Sequence, residues 1–140
     1  MARKGITPVI AIIVLLLITV ALAGAAWSFM SAYWEGLVAK SIHITDSYCS
    51  TNEATVLIRN TGTGKITLEN DNGPASDIIV INTIAGTNQD GEWEDLSNNG
   101  ITEAAPGKVF KFVFSCTPAG SMCNVRFIVG GKSLPASVQC

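Results

Sequence analysis

An unbroken apolar segment occupies residues 5–27, directly after Arg3 and Lys4. Twelve of the residues from Ile6 to Leu22 are Ile, Leu or Val, and the segment contains no charged side chain. Each of these side chains favours insertion by roughly 0.3 to 0.6 kcal/mol, so the segment prefers the bilayer by about 4 to 7 kcal/mol. It also exceeds the roughly 20 residues that a helix needs to cross a membrane. The pattern therefore predicts a membrane-spanning helix.

Helical character continues beyond the apolar segment, since residues 27–40 contain neither proline nor a cluster of turn-forming residues. A helix over residues 6–40 would be about 50 Å long, well beyond a hydrocarbon core of about 30 Å. Pro8 lies in its first turn, where a missing N–H costs little. A secretory signal peptide cut near Ala23-Gly24-Ala25 is the alternative, but it does not explain the continuation to residue 40.

Small residues recur at every fourth position in the second half of this helix. They are Gly24, Ser28, Ala32 and Gly36. This spacing places them on one helix face, and small side chains let two helix backbones approach closely, which favours helix–helix packing. Larger residues cluster on the opposite side: Trp27, Met30, Trp34 and Leu37. An aromatic belt at the lipid headgroups is an equally good interpretation of the tryptophans.

Alternating apolar and polar residues replace the helical pattern beyond Lys40, as in short antiparallel strands. Clusters of Asn, Gly and Pro separate the candidate strands, which are 41–48, 53–60, 65–69, 77–83, 108–115, 124–129 and 133–139. Seven short strands in about 100 residues are typical of an immunoglobulin-like β-sandwich. The predicted fold class is α+β, with a long hydrophobic N-terminal helix at 6–40 and an all-β sandwich domain at 41–140.

The charges predict which side of the membrane each part occupies. Positive residues such as Arg3 and Lys4 remain cytoplasmic, which places the β domain outside the cell. From Ser41 onward the chain has six Lys or Arg against ten Asp or Glu, a net charge of −4. Because nucleic-acid-binding domains carry a basic surface, we expect no nucleic-acid partner.

Four cysteines lie in the predicted β domain, an even number that suits disulfides in an exported protein. They allow three pairings. We favour Cys116 with Cys123, because these residues bracket a turn between two predicted strands, and this leaves Cys49 with Cys140. Zinc binding is the competing interpretation, but no two cysteines have the short spacing of a zinc knuckle.

Catalytic groups are hard to find in this sequence. The single histidine, His43, lies in the first predicted strand without a second histidine or a paired acid to activate a nucleophile. The acidic stretch 90–95 has oxygen ligands of the kind that calcium uses, with 69–72 as a second source if the loops meet, but it does not fit the 12-residue calcium loop. A solvated loop is the preferred interpretation. We predict no enzymatic activity, catalytic residue, cofactor or metal site.

The first residues resemble a known signal sequence. Arg3-Lys4-Gly5, followed by Ile6-Thr7-Pro8-Val9-Ile10-Ala11 and a long run of Ile, Leu, Val and Ala, is similar to the class III signal sequence of archaeal type IV pilins and archaellins, the subunits of archaeal surface filaments. The resemblance covers about the first 35 residues closely, and the rest only in its β-rich character. It implies that a prepilin peptidase cuts between Gly5 and Ile6, which makes 1–5 a leader peptide. Bacterial pilins typically carry Glu at the fifth mature position, which is Ile10 here, whereas archaeal members often lack it.

The resemblance also implies a function. We expect a subunit of a type IV pilus-like filament, with the helices in the filament core and the β domains outside, serving adhesion. The precursor would wait in the cytoplasmic membrane with its N-terminus in the cytoplasm. Its partners would be other copies of the chain, the prepilin peptidase and the pilus assembly machinery. An archaellin for motility is one alternative, and a membrane-anchored extracellular binding or accessory protein that does not polymerise is another.

Overall fold

A computed structural model describes residues 6–140, apart from the side chains of residues 6, 36 and 37. It has one apolar helix followed by a mostly antiparallel β domain, so the α+β class predicted from the sequence is confirmed. The chain divides into two compact units, one ending at Gly36 and the other running from Leu37 to Cys140.

The helix, α1, runs from Ile6 to Val38, a length of 33 residues. It ends two residues before the predicted position. The carbonyl of Val38 accepts a hydrogen bond from Thr63 N at 3.3 Å, and that of Ala39 accepts one from Gly64 N at 2.9 Å. These bonds to a turn of the β domain replace a further helical turn.

Nine strands follow in the described part of the chain: β1 (Ile42–Ser50), β2 (Glu53–Asn60), β3 (Ile66–Thr67), β4 (Ile78–Asn82), β5 (Glu92–Glu94), β6 (Glu103–Ala104), β7 (Val109–Ser115), β8 (Met122–Val129) and β9 (Lys132–Gln139). Seven of them overlap the predicted segments, whereas β5 and β6 are additional. The interpretation of the acidic stretch as a solvated loop is wrong for β5. Three residues are too few for alternation to be visible, and acidic residues flank Trp93 on both sides.

Antiparallel pairing organises the strands into three sheets. The largest has the order β1-β2-β7-β5, the second has the order β4-β8-β9, and β3 pairs with β6. In the largest sheet Val56 of β2 lies opposite Phe112 of β7, and Ile58 lies opposite Phe110. This register puts the apolar residues of neighbouring strands on the same face.

One hydrophobic core receives side chains from all three sheets. Trp93 of β5 is 1% exposed and lies at its centre, with ring centroids 4.6 Å from Phe112 and 6.4 Å from Phe127 of β8. Its indole Nε1 donates to the carbonyl of Glu69 at 3.1 Å, so the polar edge of the ring is satisfied. Aromatic pairs of this kind contribute about 0.5 to 1.5 kcal/mol beyond simple burial.

Two disulfides connect the ends of strands. Cys49 of β1 is bonded to Cys140, which follows β9, and Cys116, which follows β7, is bonded to Cys123 of β8. These are the pairs favoured by the sequence. The first bridge spans 91 residues and the second spans 7, so the long one restricts the unfolded chain far more.

Candidate functional site

The surface of α1 is the largest exposed apolar feature among the described residues. Every side chain from Thr7 to Glu35 is exposed, including Leu15, Leu22 and Phe29 at 64%, 65% and 84%. Apolar surfaces of this extent require cover from lipid or protein. Within the described part of the chain, this is the one helix whose length and composition suit a membrane span.

The small-residue stripe lies on this exposed helix. Gly24, Ser28 and Ala32 are all exposed, and a Cβ added to Gly24 would have no neighbour within 4 Å. The surroundings of Gly36, the fourth member, lie outside the described residues. The face formed by the other three is therefore open to the close approach of another helix.

The predicted cleavage junction is described on one side only. Gly5 lies outside the described residues, whereas Ile6 is the first residue of α1. A chain that began at Ile6 would therefore retain the whole helix.

The segment that enters the β domain is held by backbone hydrogen bonds. Thr61 N and Gly62 N both donate to the carbonyl of Ser41, at 2.9 and 3.1 Å. Gly62 lies so close to the segment that a Cβ would overlap the carbonyl oxygen of Ala39 and approach Ser41 N to 2.8 Å. Only glycine fits at this position without a shift of the backbone.

An ion pair fastens the same segment. Lys40 Nζ lies 2.5 Å from Asp77 Oδ1, and the second oxygen of Asp77 accepts a hydrogen bond from Thr67 N at 2.8 Å. Burial raises the pKa of Asp77, but the hydrogen bonds from Lys40 and Thr67 outweigh it and hold the pKa below the usual value. Asp77 therefore stays ionised as the pH falls toward the acid range.

The two acidic loops do meet in space. Asp71 N donates to the carbonyl of Gly91 at 3.4 Å, and Trp93 N donates to Asn70 Oδ1 at 3.0 Å. The amide of Asn70 thus binds the protein backbone. Over residues 6–140, no group of three or more His, Cys, Asp or Glu side chains is placed to hold a metal ion.

His43 lies on β1, the edge strand of the largest sheet, where its side chain is exposed. It faces Arg59 of β2 across the strand pair. A groove of about 760 Å³ lies elsewhere, beside β6, and is bordered by Lys65, Glu103 and Lys108.

A buried lysine is the polar feature that sequence reasoning missed. Lys111 of β7 is only 9% exposed, and its Nζ lies 2.9 Å from Glu94 Oε2. Its burial could have been suspected from the sequence, because Lys111 lies between Val109 and Val113 on the face of β7 opposite the phenylalanines. Such a lysine is costly to bury without a partner, which points to a specific contact.

No protein-family model matches this chain, and no curated protein matches it either. Evidence for function therefore comes from the exposed helix and from the geometry of the β domain.

Proposed function

We propose that this protein is the structural subunit of a surface filament of the archaeal type IV pilus kind, which assembles through α1 and serves adhesion. The observation that carries the proposal is the surface of α1, because every described side chain from Thr7 to Glu35 is exposed. At 33 residues the helix is about 50 Å long, whereas a hydrocarbon core is about 30 Å thick. Lipid alone covers only part of it, while a bundle of like helices covers its whole length.

Assembly from the membrane is physically reasonable for such a helix. A helix that leaves lipid for a bundle of apolar helices loses little apolar burial, and it gains van der Waals contact where small residues permit close approach. Gly24, Ser28 and Ala32 supply that face on α1. Contacts between unlike surfaces of successive subunits extend into a filament when the rotation between subunits does not close a ring.

We further propose that the β domain is an immunoglobulin-like sandwich that forms the outer layer of the filament. The strand orders support this proposal. The order β1-β2-β7-β5 matches A-B-E-D of a constant-type domain, and β4-β8-β9 matches C-F-G, with β3 and β6 as an additional pair. The domain departs from antibody domains in two respects. Neither disulfide joins the strands that match B and F, which are β2 and β8. The buried tryptophan lies on β5, which matches D, rather than on β4, which matches C.

An extracellular position for this domain is part of the proposal. Two disulfides are expected in a compartment where thiols are oxidised, which supports export. Arg3 and Lys4, before the apolar segment, favour a cytoplasmic N-terminus in the precursor. Both observations agree with a domain that is delivered outside the membrane and carried there by the helix.

The first test is the N-terminal sequence of the native protein, purified from the cell surface. Processing by a prepilin peptidase predicts a chain that begins at Ile6. A surface protein that begins at Met1 and sediments with membranes would contradict the filament proposal and would indicate an anchored binding protein.

The second test addresses assembly through the stripe. Gly24→Leu and Ala32→Leu place a larger side chain on the small face, so we expect electron micrographs without filaments. Ala23→Leu is the matched control. At about 100° per residue Ala23 lies on the opposite side of α1, and filaments should persist. Alkaline extraction of membranes checks that each precursor remains inserted. Normal filaments with both stripe variants would refute the packing role.

A further inference from the structure

Lys111, Glu94 and Asn98 form a compact cluster on the outer face of the largest sheet. Glu94 and Lys111 are directly opposite each other in the β5–β7 pair, and their charged groups are 2.9 Å apart. The Nζ of Lys111 also contacts the side-chain amide oxygen of Asn98. The side chains of Lys111 and Glu94 are 11% and 20% exposed, so the ammonium and carboxylate meet in a largely desolvated position.

A tight turn brings the Asn98 amide to Lys111. The carboxylate of Asp95 accepts hydrogen bonds from the backbone N–H groups of Ser97 and Asn99 at 2.8 and 2.9 Å, and the N–H of Asn98 donates to the carbonyl of Asp95 at 3.2 Å. The hydrogen bond from Asn99 is the largest influence that lowers the pKa of Asp95, so this carboxylate keeps accepting over a wide pH range. Asn98 itself has φ 63°, a conformation that asparagine tolerates well.

We propose that Lys111 and Asn98 form an intramolecular isopeptide bond, with Glu94 as the group that transfers protons. Lys111 contacts both the Glu94 carboxylate and the Asn98 carboxamide, so the amine, the acyl group and the proton carrier that this acyl transfer requires are all present. Glu94 and Lys111 are in direct contact, so the carboxylate is placed to take a proton from the amine. The bond would join the β5–β6 loop covalently to β7.

The reaction balances without any further reagent. Glu94 takes a proton from the ammonium of Lys111, and the free amine attacks Cγ of Asn98. The Nζ–Cγ bond forms and the Cγ–Nδ2 bond breaks. The second proton of the former ammonium and the proton held by Glu94 both pass to the departing nitrogen, which leaves as ammonium. No atom changes its oxidation state, and the protein loses one ammonia.

Mass spectrometry of the full chain, purified in detergent, tests this directly. After correction for the two disulfides and the observed N-terminus, the intact mass should be lower than the sequence mass by one ammonia. Trypsin cannot cut after an acylated Lys111, so the digest should contain residues 66–108 joined to residues 109–126. An intact mass without the loss, together with separate peptides 66–108 and 109–111, would overturn the proposal.

Variants assign the roles within the cluster. Asn98→Ala and Glu94→Gln should each restore the full intact mass and the separate peptides. Asn98→Asp should still react, but with the loss of water instead of ammonia. Asn99→Ala is the matched control, because it removes the neighbouring amide and leaves the three reacting groups in place, so the ammonia loss should remain. A branched peptide that persists in Asn98→Ala would exclude Asn98 as the partner of Lys111.

Discussion

The side-chain amide of Asn72 binds the backbone of Val80 as a neighbouring strand would. Val80 N donates to Asn72 Oδ1 at 2.6 Å, and Asn72 Nδ2 donates to the carbonyls of Val80 and Gln89 at 3.2 and 2.9 Å. Val80 lies in β4, an edge strand of the second sheet. Unpaired groups on an edge strand can recruit another chain, and this amide satisfies them within the molecule.

We expect Asn72→Gly to lower the free energy of unfolding by about 1 to 3 kcal/mol, because the backbone N–H of Val80 loses its hydrogen-bond partner. Asn72 has a positive φ of 54°, which glycine adopts without strain. The loss of stability therefore reports the missing side-chain hydrogen bonds rather than backbone strain. Asn52→Gly is the control, since Asn52 also has a positive φ, 69°, but lies in an exposed turn. Urea unfolding of the full chain in detergent measures both. Equal stability losses in the two variants would contradict the bracing role of Asn72.

The two disulfides should differ in their contributions to stability. In the chain-entropy relation a bridge that spans 91 residues stabilises by about 4 to 5 kcal/mol, and one that spans 7 residues by about 2 to 3 kcal/mol. Replacing Cys49 and Cys140 by serine should therefore lower the urea midpoint of the β domain more than replacing Cys116 and Cys123. Treatment with a strong reductant should lower it further than either pair of replacements. An unchanged midpoint under complete reduction would contradict both estimates.

Replacing Gly62 or Gly64 by alanine should destabilise the domain more when the added Cβ lies closer to the carbonyl oxygen of Ala39. A Cβ on Gly62 overlaps the carbonyl oxygen of Ala39, whereas one on Gly64 lies 3.1 Å from the same atom. We expect Gly62→Ala to cost about 1 to 3 kcal/mol in unfolding free energy and Gly64→Ala clearly less. Gly100→Ala is the control, because its nearest new contact is 4.0 Å away. Thermal unfolding followed by circular dichroism ranks the three, and a different order would argue against steric exclusion.

The ion pair of Asp77 with Lys40 should make stability depend on acid pH. Because the folded state lowers the pKa of Asp77, this carboxylate stabilises the fold above its unfolded pKa of about 3.9, and the contribution disappears as the pH falls through the lower folded value. Asp77→Asn should therefore destabilise the domain at pH 7 and have a smaller effect below about pH 4. Asp90→Asn, at an exposed position, is the control. A stability deficit of Asp77→Asn that is the same at pH 7 and pH 3 would contradict this assignment.

Local patterns account for most of the elements that could be predicted. The uninterrupted apolar run indicated α1, and alternation around Phe110, Phe112 and Phe114 indicated β7. Helix and strand periods involve residues only a few positions apart, so they are visible in the chain itself. The cysteine pairs could be inferred because Cys116 and Cys123 bracket a single turn. The immunoglobulin-like arrangement, the cleavage after Gly5 and the filament itself remain predictions.

The apolar run and the alternation beyond Lys40 were enough to predict a long apolar helix followed by a disulfide-containing domain of short strands. The tertiary structure sets which groups Trp93 contacts in the core, how Asn72 braces β4 and that Lys111 meets both Glu94 and Asn98. The indole and carbonyl in contact at Trp93 are 24 residues apart, and the amine and amide at Lys111 are 13 apart. Helix and strand periods do not relate positions that far apart in the chain. Whether such residues meet depends on how the sheets and turns pack in three dimensions.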